Sequence, residues 1–254
     1  MSDSMGRFCW HELMTSDLAG AKKFYSSLFG WNVVDSGLSD MIYAICNVEG
    51  DGVAGMMPLP APLVAQKVPP HWMGYIYADD VDAAAKAVEK DGGTMHRAPT
   101  DIPNVGRFAV MADPQGAAFI LFSALGNNAQ PKAGTPGTFG WNELHAVDAG
   151  KAMDFYGRHF GWQKDEAIPM GPMGDYQLFS VGGSQIGGIM NKAPEIPRPS
   201  WLFYVNVANM EAALERLKAA GGQLLHGPNP VPGGQIIAQC KDPQGAFFAM
   251  VSPA

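Results

Sequence analysis

A long internal repeat constrains this chain more than any other feature of its sequence. Residues 8–31 read FCWHELMTSDLAGAKKFYSSLFGW, and residues 139–162 read FGWNELHAVDAGKAMDFYGRHFGW. Identical residues recur 131 positions apart, and the sequence DPQGA returns near the end of each half. Among the repeated residues of the first copy are Trp10, Glu12, Phe24, Tyr25, Phe29, Gly30 and Trp31. The chain is therefore predicted to contain two copies of one domain, so that any site exists twice, in forms that have diverged.

Composition limits the class of protein and its partners. With 47% hydrophobic and 16% charged residues, the chain is predicted to be globular. A formal net charge of −7 and the lack of a Lys/Arg run argue against nucleic acid or an anionic membrane as partner. No apolar run reaches transmembrane length, and residues 1–7 lack the apolar core of a signal peptide. We expect a cytoplasmic protein, a monomer or homodimer, with a small molecule as its ligand.

The three cysteines also favour a cytoplasmic location. Cys9, Cys46 and Cys240 have neither CxxC nor Cys/His spacing. This pattern is typical of reduced, buried cysteines in a cytoplasmic protein.

The predicted elements follow one order in both halves, βαβββ and then βαβββ again. The predicted strands are 8–14, 32–35, 41–48, 53–58, 72–78, 94–96, 107–112, 117–123, 139–146, 176–181, 185–190, 201–207, 235–240 and 246–252. The predicted helices are 18–29, 148–160 and 209–220, and a further helix that is capped by Asp79 or Asp80 and ended by Gly92-Gly93. Residues 58–70 are rich in proline and are predicted to form a loop, and residues 124–138 are predicted to link the halves. We therefore expect domains at 8–123 and 139–252, with an α+β fold of curved mixed sheets and helices on one face.

The order of these motifs resembles the vicinal oxygen chelate superfamily, which includes glyoxalase I, bleomycin-resistance proteins and extradiol dioxygenases. The likeness rests on W-x-E-L, D-x-x-x-A-x-x-FY-x-x-x-FGW, DD-V-D-A-A and DPQGAxF, and it is closest to tandem two-domain glyoxalase-like proteins. The resemblance implies that paired βαβββ units form a cup with the helices outside.

The resemblance also implies three positions for the ligands of a divalent metal in each cup. They fall on Trp10, Met73 and Ile120 in the first half and on Trp141, Leu202 and Ala249 in the second. None of these side chains suits such a metal, which binds imidazole, carboxylate or thiolate. We therefore expect no metal site and no cofactor, and the departure from the family pattern argues against the family's metal-dependent reactions.

Candidate ligand-binding residues follow from strand alternation on the implied cup. Residues two apart on a strand share a face, so Glu12 should accompany Trp10, and Glu143 and His145 should accompany Trp141. The proposed ligand-binding set is Trp10, Glu12, Met73, Tyr75, Ile120, Trp141, Glu143, Leu202 and Tyr204. The tryptophans either pack the floor of the cup or stack on a planar ligand. The candidate catalytic residues are Glu12, Glu143 and His145, although a buried glutamate can equally be held in a structural bond.

Three functions remain open from the sequence. The protein can be a metal-free binding protein that holds a small organic molecule in an aromatic cup. It can be a metal-dependent lyase or dioxygenase with a shifted ligand set, Glu143 and His145. It can also be a metal-independent enzyme that uses Glu12 or Glu143 as a general base. The missing metal ligands favour the first and third, and the sequence does not decide whether the protein is an enzyme.

Overall fold

The computed structural model describes residues 4–38, 41–126 and 131–254. The first half contains β1 (Phe8–Thr15), α1 (Leu18–Phe29), β2 (Asn32–Asp35), β3 (Ala44–Val48), β4 (Asp51–Pro58), α2 (Ala61–Ala65), β5 (His71–Tyr77), α3 (Val81–Lys90), β6 (Thr94–Ile102), β7 (Gly106–Ala112) and β8 (Ala118–Ala124). The second half contains β9 (Phe139–Ala146), α4 (Ala149–Phe160), β10 (Gln163–Pro169), β11 (Asp175–Val181), β12 (Ser184–Asn191), β13 (Ser200–Asn206), α5 (Met210–Ala219), β14 (Gln223–Val231), β15 (Gln235–Lys241) and β16 (Phe247–Pro253).

These elements form four βαβββ modules, as the sequence predicts. Modules 1 to 4 begin at β1, β5, β9 and β13, and each has its long helix after the first strand. The strands form two eight-stranded mixed sheets with the orders β2-β3-β4-β1-β5-β8-β7-β6 and β10-β11-β12-β9-β13-β16-β15-β14. In every module the first strand pairs in parallel with the last, and the other pairs are antiparallel. The predicted α+β fold with two similar halves is confirmed.

Local sequence signals begin and end the helices. The side chains of Asp17, Asp80, Asp148 and Asn209 each accept a hydrogen bond from a backbone N–H in the first turn. Such caps satisfy donors that have no partner inside the helix. Gly30 and Gly161 end α1 and α4 at φ of 73° and 70°, where a residue with a Cβ is disfavoured. This explains why the FGW sequence marks both helix ends.

Three features differ from the sequence prediction. The proline-rich segment contains the short helix α2, which begins just after Pro60. Strands β10 and β14 were not predicted, because β10 is almost entirely exposed and polar and β14 contains two prolines. The boundaries at 8–123 and 139–252 stay a prediction, and residues 127–130 of the proposed linker lie outside the described residues.

The compact units of the molecule combine modules from different halves. One unit contains the described residues of Met1–Cys9, Met73–Asn128 and Trp141–Leu202, and therefore mainly modules 2 and 3. The other contains those of Trp10–Trp72, Ala129–Gly140 and Phe203–Ala254, mainly modules 1 and 4. Within the first unit, Arg158 of α4 pairs with Asp91 at the end of α3, at 2.7 Å. Within the second, Arg216 Nε of α5 donates to the carbonyl oxygen of Leu28, at 3.0 Å.

The repeated aromatic residues form the core of these units. In one unit Tyr156 stacks on Trp162 and its hydroxyl donates to Asp113 Oδ2 at 3.2 Å. In the other, Tyr25 packs against Trp31 and donates to Asp242 Oδ2 at 3.0 Å. Each aspartate comes from a DPQGA turn of the other half and also accepts backbone N–H bonds inside its own turn. The two repeated motifs thus meet in a buried Tyr–Asp pair, which explains their joint presence.

None of the helices described is long and apolar enough to cross a membrane.

Candidate functional site

A continuous chain of hydrogen bonds links four side chains of module 3. Trp141 Nε1 donates to the Tyr176 hydroxyl at 2.7 Å, and that hydroxyl donates to Glu143 Oε2 at 2.9 Å. His145 Nε2 lies 2.8 Å from Glu143 Oε1. We call these four residues the Trp141 cluster. Trp141, Glu143 and His145 therefore share one face of β9, as alternation along a strand requires.

A glycine makes the approach of Tyr176 possible. Tyr176 is on β11, Glu143 is on β9, and β12 lies between them in the sheet. Gly188 of β12 is the register partner of Glu143. A Cβ at Gly188 would lie 2.2 Å from Tyr176 Cζ, far inside an ordinary contact distance. The tyrosine therefore reaches across β12 to the carboxylate only because residue 188 has no side chain.

Module 1 repeats this arrangement as the Trp10 cluster, formed by Trp10, Glu12 and Tyr43. Trp10 Nε1 donates to the Tyr43 hydroxyl at 2.9 Å, and Tyr43 hydrogen-bonds to the Glu12 carboxylate. Burial, and secondly the charge of Glu12, raise the pKa of the Tyr43 hydroxyl well above its ordinary value, so it stays a donor. Gly55 is the register partner of Glu12, and a Cβ there would lie 1.8 Å from the Tyr43 hydroxyl. The two clusters thus share their tryptophan, glutamate, tyrosine and glycine.

Burial separates the two parts of each cluster. Glu12 and Glu143 are 4% and 6% exposed, whereas Trp10 and Trp141 are partly exposed. A buried carboxylate is costly unless it accepts hydrogen bonds, and the tyrosine supplies one in each case. The glutamate therefore fixes the tyrosine, which in turn fixes an indole ring that solvent reaches.

The clusters differ at one position that bears on chemistry. His145 corresponds in the repeat to Met14, so the Trp10 cluster has a thioether where the Trp141 cluster has an imidazole. The His145 side chain is 12% exposed. Its Nδ1 atom is buried and makes no hydrogen bond within the part of the chain that the structure describes. The two sites are therefore related in construction and unequal in acid–base capacity.

The other sequence-predicted residues are buried strand residues. Met73, Tyr75 and Ile120 are at most 6% exposed, and Tyr75 is the register partner of Ile120. Leu202 and Tyr204 are at most 7% exposed on β13, where Tyr204 is the register partner of Ala249. Tyr204 also accepts a hydrogen bond from Gln239 Nε2 at 3.4 Å. Their assignment to a ligand site stays a prediction.

The family metal does not fit the residues present. The side chains at the six implied positions are indole, thioether, aliphatic or methyl groups, which do not form a ligand set for a divalent ion. The alternative pair, Glu143 and His145, supplies two donors that bond to each other. Over residues 4–38, 41–126 and 131–254, no group of three His, Cys, Asp or Glu side chains could hold a metal ion.

Two surface cavities lie away from the clusters. One, of about 350 Å³, is lined by residues of the Asp113–Gln115 turn and of α4. The other, of about 580 Å³, lies beside α5. None of the sequence-predicted site residues lines either cavity. The case for a binding site therefore depends on the clusters themselves.

Tyr43 and Tyr176 were not among the site residues predicted from the sequence. Their positions differ by 133 residues and not by 131, so the main repeat does not align them. A signal was present, because each tyrosine precedes its glycine, Gly55 or Gly188, by 12 residues. Glycine late in a strand commonly marks a bulge or a place of close ligand approach. Instead, Gly55 and Gly188 admit a tyrosine of the same module.

Comparison with known proteins places the chain in a family. The model of the Glyoxalase/Bleomycin resistance protein/Dioxygenase superfamily matches residues 7–121 and again residues 139–250. The chain belongs to this superfamily and carries two tandem glyoxalase domains, as the sequence resemblance implied.

Several relatives match over nearly the whole chain. "Putative glyoxylase CFP32" of Mycobacterium tuberculosis is 34% identical over 248 residues, covering 96% of this chain and 94% of the relative. "Anthracycline biosynthesis protein DnrV" of Streptomyces peucetius is 32% identical over 265 residues, covering 97% and 93%. The Mn(II)-bound glyoxalase of Novosphingobium aromaticivorans is 17% identical with a TM-score of 0.68, covering 98% of this chain and 82% of that one. At that identity the structural likeness shows the fold alone.

Proposed function

We propose that this protein binds a small, planar organic molecule without a metal, with Trp10 and Trp141 as stacking surfaces. One observation carries the proposal: each partly exposed indole is fixed by a tyrosine that is itself fixed by a buried glutamate. The same construction, with its enabling glycine, is present in two modules.

A fixed indole is a suitable surface for a planar ligand. Aromatic side chains contribute a large contact area, and they lose little conformational entropy when their orientation is already set. Because the indole N–H already donates to tyrosine, the ring offers its faces and not its polar edge. The ligand class that fits is therefore aromatic or extensively conjugated.

The comparisons support the same class. One full-length relative is named for anthracycline biosynthesis, and anthracyclines are planar polycyclic molecules.

The three free cysteines, of which Cys46 and Cys240 are buried, support a reducing, cytoplasmic location. A monomer or homodimer and a small-molecule partner remain part of the proposal.

Titration of the tryptophan fluorescence tests the proposal. The probes are naphthol and anthraquinone sulfonate, added in the presence of EDTA so that any bound trace metal is removed. Saturable quenching is expected, and Tyr176→Phe should weaken it in the Trp141 cluster because the indole loses its anchor. We expect a loss of about 1–3 kcal/mol in binding free energy from Glu143→Gln, because a neutral amide holds the Tyr176 hydroxyl, and through it the indole, less firmly than a carboxylate does.

The matched variants Tyr43→Phe and Glu12→Gln address the Trp10 cluster in the same way. Binding that is insensitive to all four substitutions would contradict the proposed location. The absence of saturable binding for both probes would contradict the proposed ligand class.

A further inference from the structure

The proposal here rests on the proposed function and concerns what only one of the two clusters can do. We propose that His145 is a catalytic base: its Nδ1 accepts a proton from a planar carbon acid bound on Trp141, and Glu143 is a positioning residue that fixes the tautomer. The Trp10 cluster, with Met14 in the equivalent position, binds without proton transfer.

The hydrogen bonds define which nitrogen is available. Glu143 accepts from the Tyr176 hydroxyl on Oε2, and its Oε1 lies 2.8 Å from His145 Nε2. A carboxylate that already accepts one hydrogen bond favours an N–H as its second partner, so the proton of the neutral imidazole resides on Nε2. The lone pair is then on Nδ1, the atom that makes no hydrogen bond among the described residues.

A purely structural role for His145 does not explain why its buried Nδ1 makes no hydrogen bond among the described residues. Buried polar atoms in proteins are nearly always hydrogen-bonded, and each exception needs a reason. A histidine held only for packing is interchangeable with the methionine found at the equivalent position of the first half. The imidazole of His145 is instead oriented by a buried carboxylate, and its Nδ1 lone pair is not used by any described residue. This is the arrangement of a general base whose buried Nδ1 meets the substrate only when binding on Trp141 exposes it.

The substrate class follows from the neighbouring groups. The indole N–H of Trp141 and the hydroxyl of Tyr176 already donate within the cluster, so neither is free to stabilise a localised oxyanion. When a carbon acid gives an anion whose charge spreads over a conjugated ring, that anion depends less on hydrogen-bond donors for its stabilisation. Such an anion can remain planar and stacked on Trp141 while His145 holds the proton. The net reaction is an isomerisation or eliminative ring opening and needs no oxidant or reductant.

The first test measures the tautomer directly and needs no ligand. NMR of nitrogen-labelled histidine in the complete protein reports which ring nitrogen carries the proton. The expected result for His145 is a protonated Nε2 and an unprotonated Nδ1. Glu143→Gln should shift the population toward a mixture of tautomers, whereas His96→Gln, at an exposed histidine, should leave the His145 signals unchanged. A proton on Nδ1 in the wild-type protein would overturn the proposal.

The second test uses nitrobenzisoxazole, a planar bicyclic carbon acid. When a base removes its ring C–H proton, the C–H electron pair forms the nitrile π bond and the ring N–O bond breaks to give a coloured phenolate. The proton passes to His145 Nδ1 and then to water. We expect catalysis by the wild-type protein and a loss of about 100-fold or more in His145→Met, since general bases contribute about 100- to 10000-fold. His145→Met is matched to the chain itself, because the first half has methionine there.

The two proposals fail in different ways. If the probe quenches tryptophan fluorescence saturably but its conversion is as fast in His145→Met as in wild type, the base is not His145 and the binding proposal stands. If the probe does not bind at all, the binding proposal fails for this ligand class. Weaker binding should raise KM in Glu143→Gln, so its positioning role is supported by a lower kcat in addition to that rise, together with the tautomer shift. A change in KM with kcat unaltered would contradict that role.

Discussion

Replacing Gly188 with alanine is expected to break the hydrogen-bond chain of the Trp141 cluster, although none of the four residues of the cluster is substituted. The added Cβ would lie 2.2 Å from Tyr176 Cζ and 2.5 Å from its hydroxyl oxygen. Carbon atoms at rest are about 3.5–4.0 Å apart, so the ring must move by about 1 Å or more. Bonds of 2.9 Å to Glu143 and 2.7 Å from Trp141 cannot survive such a shift.

The magnitude follows from those two bonds. A hydrogen bond to a charged group contributes about 1.5–3 kcal/mol and a neutral one about 0.5–1.5 kcal/mol. Alanine recovers about 0.5–1 kcal/mol through the reduced entropy of the unfolded chain. We expect a net loss of about 1–4 kcal/mol in the free energy of unfolding, measured by urea denaturation, together with weaker probe binding.

The control for this substitution is Gly126→Ala, where a Cβ would meet nothing within 4 Å. Gly126→Ala should leave stability and binding unchanged. Wild-type stability in Gly188→Ala would refute the reasoning, because it would mean that Tyr176 is not held over that glycine. Gly55→Ala should show the same effect in the Trp10 cluster, where Tyr43 is displaced.

Further predictions concern the Tyr–Asp pairs, the thiols and the tyrosine hydroxyls. Burial raises the pKa of Asp242 above its ordinary value of 3.8, so the folded state favours the protonated carboxyl. That stabilising contribution is present at pH below 3.8 and is lost as the pH rises through the raised pKa of folded Asp242, so the wild type should lose stability relative to Asp242→Asn as the pH rises between these two pKa values. A free energy of unfolding that changes with pH in the same way in both proteins would contradict this. Burial raises the pKa of the Cys9 and Cys240 thiols to about 12, so native protein should react with Ellman's reagent far more slowly than urea-unfolded protein, and equal rates would contradict the assigned burial. Tyr25→Phe should lower the free energy of unfolding by about 1.5–3 kcal/mol, measured in urea, because the buried Asp242 loses a donor; an unchanged value would show that this pair is not a stabilising contact.

The fold was accessible from sequence because its signals are local and repeated. Asp17, Asp80, Asp148 and Asn209 mark helix starts, and the FGW sequence marks two helix ends. Strands β10 and β14 were not predicted, because they are the edge strands of one sheet and lack an alternating apolar pattern. The combination of modules 1 with 4 and 2 with 3 is invisible in the sequence, since all four modules carry similar motifs.

The candidate site was accessible only in part. Glu143 and His145 follow from alternation along β9, which places residues two apart on one face. Tyr176 was missed because it reaches Glu143 across an intervening strand, and only the three-dimensional pairing of β9, β12 and β11 reveals that Gly188 leaves room for it. The divergence between His145 and Met14 was visible in the repeat, but its significance depends on the hydrogen bond to Glu143 and on the unpaired Nδ1.

The central claim is that the Trp141 cluster is a metal-independent ligand site whose indole is fixed by Tyr176 and Glu143. Calorimetric titration of anthraquinone sulfonate into the EDTA-treated protein, in wild type and in Tyr176→Phe, tests it most directly. The account predicts saturable binding by the metal-free wild-type protein and about tenfold weaker binding when the hydroxyl is removed, equivalent to about 1.4 kcal/mol. Binding that disappears with EDTA and returns with added metal, or that is identical in the two proteins, would contradict it.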